Sequence, residues 1–115
     1  MSTQSIAFTV PLLPGMTDVD RSSMQSCWHG DRAADHQASR RELGITRESV
    51  WIQPTSEGDV AVVLLEAEDL GKALAGIGGS DEPFDVWFRA HCLHVHGIDL
   101  AAGFPPPEQI FDYQT

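Results

Sequence analysis

Asp59-Val60-Ala61-Val62-Val63-Leu64-Leu65-Glu66-Ala67 holds the longest apolar run of the chain, Val60 to Leu65. Its length suits a strand and falls far short of the roughly 20 residues that cross a bilayer. A strand with one face on helices and the other in water needs apolar residues only at alternate positions, so a run with no polar interruption predicts burial on both faces. Helices of the same chain would cover one face. The other needs a further partner, and a second copy of the chain meets that need through an apolar sheet face.

Working toward the N-terminus, Glu48 to Gln53 reads as another strand, joined to the first by the turn-forming Pro54 to Gly58. Ile6 to Leu13 is a third, with Ile6, Phe8, Val10 and Leu12 at period two and Pro14-Gly15 ending it. Pro11 lacks a ladder donor and suits an edge or a strand end. Between these two strands a polar stretch runs from the Thr17-Asp18 cap to Leu43, with Gly44 as its stop, and predicts one long helix. Val19, Ser23, Cys27, Gly30, Ala34 and Ala38 share one face of it, which predicts a small-residue surface lying close on the sheet. A kink at Gly30 is the competing reading, and both stay open.

Toward the C-terminus, Asp69 caps a short helix from Leu70 to about Ile77, closed by Gly78-Gly79. Ser80-Asp81-Glu82-Pro83 opens another that runs to His96 and stops at Gly97; acids and a proline in a first turn match the helix dipole and the unpaired N–H groups there. After Pro105-Pro106-Pro107, Gln109 to Tyr113 is expected to be a last strand. The order β, α, β, β, α, β is the ferredoxin-like βαββαβ pattern: an α+β sandwich with an antiparallel sheet and helices on one face. One domain over 1–115 is expected, ordered from about residue 5 to 113.

Composition narrows the function. The net charge of −10 over 115 residues argues against nucleic acid and anionic membranes, which need lysine and arginine. Five of the seven basic side chains lie before residue 48, as Arg21, Arg32, Arg40, Arg41 and Arg47, so an anionic ligand would find Arg32 and Arg40 on the first helix if anywhere. The N-terminus has no basic segment leading into a long apolar one, so a cytoplasmic location is expected. Cys27 and Cys92, without CxxC spacing, read as reduced, buried thiols. There is no glycine-rich phosphate loop, GxSxG, HExxH or paired CxxC.

The stretch from Ala38 to Trp51 (ASRRELGITRESVW), with Pro83 to Phe88 (PFDVWF) and His96 to Leu100 (HGIDL), resembles a family of small bacterial proteins related to the dimeric α/β-barrel superfamily. The likeness spans Ile6 to Tyr113. It implies the ferredoxin-like fold and a homodimer. That superfamily includes cofactor-free monooxygenases of antibiotic biosynthesis, small isomerases, haem-degrading enzymes and stress-responsive proteins, and no catalytic residue transfers from it to a position of this chain.

Among individual residues, His91 stands out. Its helical stripe mates are Phe84, Phe88 and Val95, so a titratable ring sits where an apolar one would stabilise more, which points either to a wet pocket or to a satisfied core histidine. In a pocket between helix and sheet it would be a general base, with Trp87 and Trp51 as walls and an apolar or aromatic ligand. His91, His94 and His96 suggest a metal, but His96 projects about 140° around the helix from His91, so no metal is expected. Trp28, Arg32, His36 and Arg40 step four apart, either as a solvated face with arginine stems over a tryptophan or as an aromatic and cationic strip for an anionic ligand or a partner subunit. Three readings follow: a cofactor-free enzyme or binding protein, a non-catalytic dimeric scaffold, and a haem-binding relative with His36 or His91 as axial ligand.

Overall fold

The computed structural model describes residues 3–103 and 105–115. Its elements run β1 (Gln4–Pro11), α1 (Thr17–His29), α2 (Ala33–Glu42), β2 (Ile45–Thr55), β3 (Gly58–Ala67), α3 (Leu70–Gly79) and α4 (Pro83–His96). The apolar run is the centre of a three-stranded antiparallel sheet of order β1-β3-β2. Central placement follows from composition: β3 has no proline and has β-branched or leucine side chains from Val62 to Leu65, whereas Pro11 and Pro54 sit on the two edge strands.

Register sorts the side chains into two faces. Val63 pairs with Phe8 and Val50, and Leu65 pairs with Ile6 and Glu48. Val50 and Glu48 share this face, and Ile6, Phe8, Val63 and Leu65 build the core on it with Ile45, Ala67, Ala73 and Ile77. An irregularity between Ile45 and Arg47 lets Ile45 join that core although Glu48 also points inward. On the reverse face Val62 pairs with Thr9 and Trp51, and Leu64 with Ala7 and Ser49. Val60, Val62 and Leu64 are only half-buried there, and Trp51 is 52% exposed, so a single chain covers one face of β3.

Two expectations need correcting. The long helix is two helices: α1 ends at Gly30, whose amide and that of Arg32 both donate to Ser26 O. A Cβ at position 30 would meet Ser26 Cα at 2.7 Å, so the bend admits only glycine without a shift of backbone. The break resets the helical phase. Val19, Gly30, Ala34 and Ala38 are exposed, and the inward positions are Asp20 and Cys27 on α1 and Ser39 and Arg40 on α2. The second correction concerns Gln109 to Tyr113, which form no strand; Ile110, Phe111 and Tyr113 are 73–87% exposed. Their β-propensity finds no partner strand within the described residues. The element order is therefore β-α-α-β-β-α-α.

The later helices keep their sequence signals. Asp69 accepts from the Lys72 amide at the start of α3, and Pro83 occupies the first turn of α4. Gly97 takes a left-handed φ of 71° to close α4. Arg89 reaches back to donate to Ile77 O at 2.8 Å and Ser80 O at 2.7 Å, so α4 caps the end of α3.

Candidate functional site

Between the inner face of the sheet and the helices lies a cavity of about 320 Å³. Its floor is the apolar inner row of the strands, including Phe8, Ala61 and Val63; α3 contributes Leu74 and Ile77, and α4 contributes Phe88 and Cys92. The volume is at the lower end of small-ligand pockets and well beyond the share of one water. Few polar groups enter this wall. They are Asp20 from α1, Glu48 from β2, and His91 and His96 from α4, of which His96 is tied to Pro11 O at 2.7 Å.

His91 is 7% exposed and Asp20 is 2% exposed, and His91 Nε2 lies 2.8 Å from Asp20 Oδ1. The pair joins α1 to α4 across 71 positions of sequence. Asp20 faces inward because Asp20, Met24 and Cys27 recur at helical spacing on α1, and Met24 and Asp20 both line the cavity. Trp87 stacks on the His91 ring at 5.3 Å, and the Arg32 guanidinium lies 4.1 Å from a Trp87 ring centroid. The order Arg32, Trp87, His91, Asp20 fixes the imidazole on one face and at one nitrogen.

A second buried network adjoins the first. Glu48 Oε1 accepts from His36 Nε2 at 2.7 Å and Arg40 Nε at 2.8 Å. Arg40 also lies 3.6 Å from Asp85 Oδ1, donates to Ser39 Oγ at 3.0 Å, and packs 4.5 Å from the Phe88 ring centroid. Ser39 donates in turn to Asp85. Burial alone would push the Glu48 carboxyl up; the hydrogen bond from His36 and the Arg40 guanidinium outweigh it and hold the group at about 2. Glu48 is therefore ionised at any ordinary pH. Burial, with Asp20 nearby, pushes the Cys92 thiol up to about 12, so it lines the cavity as a neutral group. Burial also raises Cys27.

The residues singled out from sequence are thus scattered. His91 lines the cavity, and Trp87 lies behind it rather than in the wall. Trp51 is on the reverse face of the sheet, in an open groove along the β2 edge shared with Trp28 and His36. Arg40, expected on a solvated face or in a ligand strip, is 4% exposed and held between two carboxylates, and Arg32, half-buried, is stacked on Trp87. Of that four-residue strip only Trp28 is solvated, at 74%. His94 is exposed. Among the described residues no group of three or more His, Cys, Asp or Glu converges as a metal set, and no helix is long and apolar enough to cross a membrane.

Sequence reasoning missed Asp20, Glu48, Ser39 and Asp85. Glu48 left a usable signal: it shares the parity of Val50 and Ile52, a charged residue on the apolar face of its strand. Asp20 and Asp85 left none, since an acid in a first helical turn is ordinarily a solvated complement to the dipole. Comparison with protein-family models and with curated proteins returned no match.

Proposed function

We propose that the chain binds a small apolar or aromatic molecule between its sheet and helices, and that His91, positioned by Asp20, is the proton acceptor of that site. The observation that carries this reading is the cavity of about 320 Å³ with a buried histidine–carboxylate pair in an otherwise apolar wall. With Nε2 donating to Asp20, the lone pair rests on Nδ1. Abstraction breaks an acidic C–H or phenolic O–H bond and forms N–H at Nδ1, and the electron pair stays on the substrate. The carboxylate stabilises the imidazolium that results, and return of the proton to another atom of the substrate would complete an isomerisation.

The test is deuterium exchange at the acidic C–H of benzoylacetone, followed by mass spectrometry. The protein should accelerate exchange over buffer, and His91→Gln should remove most of the acceleration. Exchange at the buffer rate with native protein would refute the catalytic part of the reading. Haem ligation by His36 or His91 is less favoured, because Nε2 of each ring is already engaged by a carboxylate.

A second feature supports self-association. Val60, Val62, Leu64 and Trp51 form an apolar patch on the uncovered sheet face, flanked by the small Ala7, Thr9 and Ser49. Small flanks around branched side chains allow two such faces to interdigitate at sheet-packing distance. In our reading two copies pair there, in the manner of ferredoxin-like dimers, with the cavities on the outer sides of the joined sheets.

A further inference from the structure

We infer that the cavity selects an organic cation, an apolar or aromatic body carrying a protonated amine, over a neutral or anionic molecule of the same shape; this rests on the binding reading above. The ionisable side chains in its wall are Asp20, Glu48, His91, His96 and Cys92, and among the described residues no lysine or arginine lines it. Glu48 carries its charge at any working pH and Cys92 carries none. Behind the wall, Glu48 is bonded to His36 and Arg40, and the Arg40 guanidinium is divided between Glu48 and Asp85. Arg32 stacks on Trp87, which is outside the wall. Asp20 bonds His91 through Oδ1 and is itself part of the cavity wall.

An ammonium entering this space loses water and regains a carboxylate at short range in a low-dielectric setting, where the attraction is several times its strength in water. A carboxylate entering loses water and meets like charge. An alcohol gains a hydrogen bond without the charge term. The net charge of −10 acts in the same direction at long range, but salt screens it, whereas the buried groups are screened far less.

The experiment measures binding of naphthylethylamine, naphthylethanol and naphthylacetate to the unaltered protein by isothermal titration calorimetry near neutral pH, in low and in high salt. The amine should bind about tenfold or more tightly than the alcohol, the acetate weakest, and the amine-to-alcohol ratio should persist in high salt. Asp20→Asn should bring that ratio toward one; because the ratio is read first on the native protein, the result stands even where the variant fails to fold. Equal binding of the three, a preference for the acetate, or an amine preference that salt abolishes would overturn the inference while leaving a binding cavity. Absence of binding by all three would remove the binding reading itself, and this inference with it.

Discussion

Replacing His91 by phenylalanine keeps the aromatic stripe of α4 but strands Asp20, whose side chain is 3% exposed and whose Oδ1 lies 2.8 Å from Nε2. Removing one partner of a buried pair costs about 3–5 kcal/mol, because the remaining charge is neither solvated nor paired. That is about a third to a half of the stability of a domain holding about 10 kcal/mol. Asp20→Leu alone leaves an imidazole donor unsatisfied, at about 1–3 kcal/mol. The double variant removes both polar groups and puts apolar volume beside a cavity with room for it, so it should be within about 1 kcal/mol of the native protein or more stable. The coupling energy from urea denaturation of the four proteins should then be at least about 2 kcal/mol. Trp87 emission is a suitable probe because its ring stacks on His91. A His91→Phe protein as stable as the native one, or a coupling below about 0.5 kcal/mol, would show that the pair does not hold α1 to α4 and would remove the positioning role assigned to Asp20.

Acid should expose the second network. Glu48 titrates at about 2 in the folded chain against an ordinary value of 4.5, so it contributes stability above the unfolded value that is lost as pH falls from about 4.5 to about 2, about 3 kcal/mol in all; the urea midpoint should drop through that window, and in Glu48→Gln, less stable at neutral pH, the drop should be shallower. Cys92 is 8% exposed with its thiol held at about 12, so iodoacetamide at pH near 8 should leave it unlabelled in the native protein and label it promptly in urea; rapid native labelling would contradict its burial. Val62→Lys places a charge in the middle of the uncovered sheet face, and sedimentation should show a shift from dimer to monomer at micromolar concentration with far-UV circular dichroism unchanged. A native protein that is already monomeric there would dismiss the sheet-to-sheet pairing.

Periodicity, caps and turn residues by themselves determined that Val60 to Leu65 is a strand, that a short turn joins it to β2, the start of α3 at Asp69 and the whole of α4 from Pro83 to Gly97. They also put His91 on an inward stripe, because apolar burial follows a residue's own helix or strand and its period can be read locally. The tertiary structure alone decided which charges go inside. Asp20, Arg40, Glu48 and Asp85 are buried through partners on other elements, and the 71 positions between Asp20 and His91 leave no local trace. It decided as well that Gly30 ends a helix and that Gln109 to Tyr113 stay unpaired, since a strand needs an edge to join as well as the propensity to extend. Burial of an apolar group depends mainly on the group itself, whereas burial of a charge depends on a second residue that only the fold brings within reach.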